Sequence, residues 1–457
     1  MDDSPGLRRT LGFPDLVLIT VGTTIGSGIF LVPGIVLRET GARSGVALAV
    51  WAVAGVLSLL GALTYAELGG MFPGAGGLYL YIRDAFGPLP AFLYGWTSFV
   101  VISSGSIAAL AVAFSTYLGV VFPLGGFPAP LIAVLAIAAV AAINCLGTRK
   151  SATLQNWTTA AKMGGLLVLS VALMLKGRGG AAATAALPAS APHSLAAGIG
   201  AATIAVLWAY EGWQYVTFSA GETRDPQRTF PRAITVALFA LVALYLLANF
   251  GYLAALGPAA AAGSDHVAAD AVAAGFGPAA GRLVSALILV SIASALNGLV
   301  LTAPRMYYAM ARDGVFFKRL AVVHSGFGTP AFAILATALW AGLLAATGTF
   351  VQLLTYVVFT GWVFYALGAL SIFAYRRRRP EAMRPFRTPG YPVTPLLFVA
   401  AAAALVLNTV VTQWKLAAAG LGVVALGAPA YFAWRAGARR RGTVAGAAAL
   451  PGVPPLP

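Results

Sequence analysis

Apolar residues in this chain run in blocks. From one end of the 457 residues to the other, stretches of about 20 residues with almost no Asp, Glu, Lys or Arg are separated by short polar segments. A block of that length crosses the ~30 Å hydrocarbon core of a bilayer as a helix, which satisfies its own backbone hydrogen bonds. Twelve such helices are predicted, over 13–37, 46–71, 90–121, 129–147, 157–176, 197–220, 233–256, 281–310, 330–347, 351–375, 393–412 and 415–435. The fold class expected is an all-α polytopic membrane protein, with short loops and no room for a soluble catalytic domain. The Ala-rich linker before His193 and the Pro-rich tail 451–457 read as flexible connectors. The first block follows Arg8-Arg9 but is too long for a signal peptide and lacks a small-residue cleavage site, so a retained helix is expected.

Composition agrees with the blocks. With 60% apolar and 9% charged residues, the chain cannot cover a water-facing surface, which in soluble proteins needs roughly a quarter of residues charged. The net charge of +16 needs a separate explanation. Of the 29 Lys and Arg residues, 22 fall on one side of the predicted spans, six on the other, and Lys162 lies inside one. That asymmetry is the positive-inside rule, with both termini cytoplasmic in an inner or plasma membrane, and it displaces a nucleic-acid partner. The run Arg376 to Arg379 reads as a headgroup anchor. A single cysteine, Cys145, excludes an internal disulfide and a Cys-based metal centre, and His193, His266 and His324 are scattered. No cofactor or metal is expected. Gly74-Ala-Gly-Gly77 lacks the Gly-Lys-Ser/Thr ending of a phosphate loop, and no nucleophile and base pair points to an enzyme.

Two spans are interrupted. The first contains Gly22-Thr-Thr-Ile-Gly26-Ser27-Gly28-Ile-Phe30, and the sixth contains Trp208-Ala-Tyr-Glu211-Gly212-Trp213-Gln214, 185 residues later. Unwound backbone at membrane depth needs a purpose, and breaks at matching positions of two five-helix halves point to a transporter built from inverted repeats. The restarted helix near Gly26 offers the N–H groups of Ser27 and Gly28 to a carboxylate. The helix ending near Trp208 offers carbonyls to an ammonium group. Together they form a receptor for a zwitterion, and an α-amino acid fits it.

Ionisable groups inside the membrane are functional candidates. Lys162 sits about 9 Å from the cytoplasmic end of its predicted span, within reach of snorkelling. Its alternative role is to hold the first helix to Ser or Thr oxygens of the eighth, Ser291 or Ser294, as a fixed substitute for a bound cation, or to carry a proton. Glu211 in the sixth-span break is open to three roles: bracing the unwound turn, binding a proton, or selecting a cationic substrate. Trp208 is a candidate lid over the ligand. Glu67 is expected to pair with a loop arginine.

The motifs Gly22-Thr-Thr-Ile-Gly-Ser-Gly-Ile-Phe30, Tyr65-Ala-Glu-Leu-Gly-Gly-Met-Phe-Pro73, Trp208-Ala-Tyr-Glu-Gly-Trp213, Gly221-Glu222-Thr-Arg-Asp-Pro-Gln-Arg228 and Arg305-Met-Tyr-Tyr-Ala-Met-Ala-Arg-Asp-Gly314 resemble the amino acid–polyamine–organocation superfamily. Within it the sixth-span segment is most similar to the L-type amino acid transporters and their bacterial relatives. The resemblance implies a leucine-transporter-like fold, with residues 13–176 and 197–375 as inverted repeats, two added helices in 393–435 and a cytoplasmic tail from 436. It implies sodium-independent alternating access, as an exchanger or a proton-coupled importer. The substrate site it implies comprises Thr24, Ile25, Gly26, Ser27, Gly28, Trp208, Ala209 and Glu211. Coupling and gating fall to Lys162, Tyr252, Trp208, Ser291 and Ser294, with Tyr252 near the cytoplasmic cation position. Two features depart from the pattern. The loop Phe122 to Ala129 has no cysteine for a covalent heavy-chain partner, and Glu211 stands where many neutral amino acid carriers have a small or apolar residue. The expected substrate is a neutral L-amino acid, with a cationic amino acid or polyamine as the alternative and a non-transporting sensor as a third reading.

Overall fold

The computed structural model describes residues 7–122, 127–177, 194–348 and 350–440. The linker before His193, the tail 451–457 and four residues of the loop between Phe122 and Ala129 lie outside them. Among the described residues the chain is helical, with one isolated bridge between Leu11 and Thr223 and no strand. The helices are α1 Phe13–Thr24, α2 Gly28–Glu39, α3 Ser44–Met71, α4 Leu78–Phe86, α5 Pro88–Thr97, α6 Ser103–Val121, α7 Ala129–Cys145, α8 Thr148–Lys176, α9 Leu195–Ala209, α10 Pro226–Gly263, α11 Val267–Phe276, α12 Pro278–Thr302, α13 Pro304–Arg312, α14 Ala331–Thr347, α15 Phe350–Arg378, α16 Val393–Thr412 and α17 Trp414–Arg440. A π turn, Ser98–Ile102, joins α5 to α6, and a 3-10 helix, Trp213–Glu222, follows α9.

Among the described residues nine helices are long and apolar enough to cross a bilayer, ten when the bent pair α1 and α2 counts as one. The expected fourth and ninth spans are α7 and α14, apolar helices of 17 residues each, about 26 Å long at 1.5 Å per residue. Leu175, Leu339 and Val411 stand exposed on α8, α14 and α16, an apolar surface suited to lipid. One symmetry was not visible from span spacing. The triplet Phe-Gly-Pro occurs at 86–88 and again at 276–278, each time between a short helix, α4 or α11, and the start of a long span, Pro88–Gly119 or Pro278–Arg312. Gly87 and Gly277 adopt nearly the same left-handed conformation (φ 95°, ψ 177° and φ 90°, ψ 165°), which only glycine reaches without strain. The proline after each supplies the first helical residue, where its missing N–H is harmless.

Several charged groups at or near the ends of the predicted spans are buried. Arg305 and Glu222 are both fully buried and pair at 2.7 Å, and the Thr148 hydroxyl donates to Glu222 at 2.6 Å. The N–H groups of Thr10 and Leu11 reach the Glu222 carbonyl at 2.9 and 3.0 Å, so the N-terminal segment is stapled to the end of the sixth span. The arginine run is not simply a headgroup anchor. Arg376 pairs with the buried Glu67 at 2.7 Å and lies over the Tyr391 ring, while Arg378 donates to the Ala85 carbonyl. Glu67 also receives the Thr388 N–H and faces the loop residue Arg384, as expected of it.

Candidate functional site

The first span breaks where its sequence is poorest in side chains. Ile25 leaves the helical region (φ −73°, ψ 90°), Gly26 and Ser27 follow, and α2 resumes at Gly28 with a bend of 44°. Among the described residues the backbone N–H groups of Ser27 and Gly28 have no hydrogen-bond partner, as at any helix start. The Ser27 hydroxyl is buried and likewise unpartnered. In the sixth span α9 ends at Ala209, and Gly212 takes φ 128°, a value that turns the chain into the 3-10 helix.

The two breaks touch. The Thr23 hydroxyl, which has the Ile19 carbonyl of its own helix at 2.8 Å, also lies within hydrogen-bond reach of the Gly212 carbonyl at 3.1 Å. A Cβ on Gly28 would lie 2.7 Å from the Ala209 Cα, and one on Gly212 would lie 2.5 Å from the Thr23 carbonyl oxygen. Glycine is required at both places because backbone meets backbone. Tyr245 of α10 ties the two helix ends together, donating to the Ala209 carbonyl at 2.9 Å and reaching the Thr24 carbonyl at 3.3 Å. The carbonyls expected to face an ammonium group are therefore not bare, although a carbonyl oxygen has a second lone pair to offer.

Between the breaks lies a small cavity of about 30 Å³ lined by Thr24, Gly26, Ser27, Gly28, Trp208, Ala209 and Glu211, with Thr23, Gly212, Ser106, Leu110, Tyr215 and Leu299 completing its wall. Seven of the eight residues expected at the substrate site are thus brought together. Ile25 is not among them, because its carbonyl turns away toward Lys162. Glu211 is held by neutral donors, the Gln214 amide and the Tyr365 hydroxyl, and has no ion-pair partner among the described residues.

Lys162 lies at the middle of α8, not near its end. The helix starts at Thr148 rather than at 157, which puts Lys162 14 residues from either terminus and removes the snorkelling explanation. The side chain is fully buried, and its ammonium donates to the carbonyls of Gly22 (2.7 Å) and Ile25 (2.6 Å) and lies 3.5 Å from that of Ser291. Three carbonyls converging on one point are what a desolvated cation needs. Gly22 permits this approach, since α1 there packs directly on Gln155 and Thr159 of α8. Ser291 joins through its hydroxyl as well, donating to Ile25 and Gly26 carbonyls at 3.1 and 3.2 Å. Ser294 does not reach Lys162; its hydroxyl accepts from Thr158 at 2.9 Å. Tyr252 stands two helical turns beyond Tyr245 with its hydroxyl unpartnered, so Tyr245, not Tyr252, is the α10 tyrosine at the breaks. Sequence reasoning also passed over Ser106, Tyr215, Gln214 and Tyr365. The signal available was the run Ser103-Ser104-Gly105-Ser106 in mid-span, more polar than packing alone asks for.

The family model described as amino acid permease matches residues 11–426. The chain belongs to this family. As the resemblance implied, it is a permease of the amino acid–polyamine–organocation superfamily, a multi-pass integral membrane protein that transports amino acids and is not an enzyme. It is similar to the serine/threonine exchanger SteT of Bacillus subtilis (strain 168), 30% identical over 431 residues, covering 93% of this chain and 97% of that protein. The b(0,+)-type amino acid transporter 1 of Homo sapiens is 34% identical over 416 residues, 89% of this chain and 84% of that one. The large neutral amino acids transporter small subunit 2 of Rattus norvegicus is 30% identical over 442 residues, 93% and 80% of the two chains. The permease's matched region includes both helix breaks and Lys162.

Proposed function

We propose that this permease exchanges neutral L-amino acids across the membrane by alternating access and without sodium. The observation that carries the reading is the single cavity shared by the two breaks, with unpartnered N–H groups at Ser27 and Gly28 on one side and the carbonyl ends of α1 and α9 on the other. An amino acid's carboxylate docks at the N–H end and its ammonium at the carbonyl end, so the backbone recognises what all α-amino acids share. Trp208 lines the cavity as its aromatic lid.

Sodium independence rests on Lys162, whose ammonium occupies the carbonyl cluster where a bound cation would otherwise join α1 to α12. Its fixed charge favours exchange over ion-driven import; a proton carried on Lys162 would make the permease an importer. The architecture proposed is twelve spans, with α7 and α14 crossing a locally thinned bilayer. Residues 13–176 and 197–375 are inverted repeats, and 393–435 supply two further helices. The repeated Phe-Gly-Pro and the spacing of the breaks support this division. The charge asymmetry supports cytoplasmic termini in an inner or plasma membrane. The lone Cys145, at the end of α7, supports function without a covalent heavy chain.

Counterflow in proteoliposomes tests the proposal. Labelled leucine or alanine should accumulate against unlabelled internal substrate at the same rate in sodium and choline buffers. Sodium-dependent uptake would sink the reading, and binding without accumulation would make the protein a sensor or channel. A cationic selectivity has one observation in its favour, Glu211 on the cavity wall without a counter-cation among the described residues. Competition decides it: arginine, ornithine or putrescine outcompeting alanine and leucine would assign the cationic class.

A further inference from the structure

Beyond the cavity lies a buried file of hydroxyls that the recognition of the amino acid backbone does not use. Its origin is the π turn Ser98–Ile102. In an α-helix residues five apart point to different faces, but the i to i+5 closure of a π turn brings them together, and the hydroxyls of Ser98 and Ser103 meet at 2.8 Å. The Trp340 indole donates to the Val100 carbonyl within the turn at 3.0 Å, fixing its backbone. One helical turn farther along α6, Ser106 reaches the cavity wall beside Tyr215.

Two tyrosines complete the file. The Tyr215 hydroxyl stands beside those of Ser103 and Ser106, and the Tyr307 hydroxyl of α13 beside those of Ser98 and Ser103. Both phenols are buried, and the serine hydroxyls are the polar groups beside them. Hydroxyls buried in a bilayer interior are expensive to desolvate even when they meet one another, and packing alone would be served as well by Ala and Phe. The file runs from the cavity at Ser106 and Tyr215, through Ser103, to Ser98 and Tyr307. Tyr307 lies one residue beyond Met306 and two beyond the buried Arg305, whose partner Glu222 holds the N-terminal segment through its backbone carbonyl. Its far end therefore approaches the face on which that segment sits.

We infer that this hydroxyl file is the transient inner site through which the amino acid passes between the central cavity and the face bearing the N-terminus. The inference rests on the transport reading and adds the path and its residues. The hydroxyls replace water around the zwitterion during release, donating to its carboxylate and accepting from its ammonium. In the conformation described the file is closed to solvent, so it opens only when the permease opens to that face.

The test uses the full chain with its one cysteine removed, Cys145→Ser, reconstituted in oriented proteoliposomes. Ser103→Cys and Ser98→Cys are made on that background and treated from either side with a membrane-impermeant methanethiosulfonate reagent. Expected are reaction from the N-terminal face alone, at least several-fold slowing by saturating leucine, and loss of counterflow after labelling. Reaction only from the opposite face, or reaction unaffected by substrate, overturns the inner site; so does no reaction in a variant that still exchanges amino acid. A Cys145→Ser background without counterflow for any amino acid overturns the transport reading itself, and the inner site falls with it. Should the cysteine variants fail to assemble, Tyr307→Phe carries the test. Its exchange rate should fall about tenfold, the worth of one hydrogen bond to a charged group, with KM at the opposite face unchanged. An unaltered rate overturns the inference.

Discussion

Lys162 places its ammonium nitrogen 2.6 Å from the carbonyl oxygen of Ile25, the residue at which the first span leaves its helix. A charge on the scaffold helix α8 is thus fastened to the break itself, yet Lys162 does not line the cavity. Loss of that charge should affect movement more than binding. Lys162→Ala is expected to lower the exchange rate about tenfold or more while leaving the leucine concentration that half-protects the protein in a thermal-shift assay within about threefold. Full exchange in this variant would leave the lysine without a coupling role.

The closeness of the breaks makes a separate prediction. Gly28→Ala inserts a methyl group 2.7 Å from the Ala209 backbone, and neither chain can yield without opening the site. Binding and counterflow should both disappear. Gly164→Ala on α8 is the matched control, because nothing lies within 4 Å of its added methyl; it should transport normally and melt at the same or a slightly higher temperature.

Glu211 is the one carboxylate on the cavity wall. Glu211→Gln keeps a side chain able to meet Gln214 and Tyr365 while removing the charge. Inhibition by arginine should weaken about tenfold or more, in line with a hydrogen bond between charged groups, with the KM for alanine within about threefold. Equal weakening for both amino acids would assign Glu211 to bracing alone.

The fully buried pair Arg305 and Glu222 predicts an asymmetry in stability. Glu222→Ala leaves a guanidinium buried without its carboxylate and should destabilise by about 3–5 kcal/mol. The double variant Glu222→Leu with Arg305→Met should recover most of that loss, since an apolar pair of similar volume replaces both charges. Melting curves of the purified proteins in detergent provide the measurement.

Much of the outline was legible in sequence because bilayer thickness imposes a simple code: apolar length gives the spans, and the glycine-rich motifs mark both breaks. What was not legible depends on geometry across helices. Nothing in Lys162-Met-Gly-Gly165 says that the helix begins nine residues before its apolar stretch, so the lysine looked close to an end when it is central. Tyr245 and Tyr252 share one face of α10, two turns apart, and only the position of the breaks tells which one meets them. Ile25 sits among cavity residues in sequence, but the extended conformation at that residue aims its carbonyl out of the cavity. The Ser98 and Ser103 pair was hidden because helical periodicity assumes 3.6 residues per turn, and the π turn suspends that rule.

The contact between Gly28 and Ala209 also constrains how the permease can move. Backbones in direct contact, with the Thr23 hydroxyl against Gly212 and Tyr245 reaching both helix ends, have no side-chain layer across which to slide. The first and sixth spans should therefore travel as one rigid body that rocks against the rest of the bundle. The rearrangement then falls on the seams around that body, including the lysine's carbonyl cluster and the buried pair of Glu222 with Arg305.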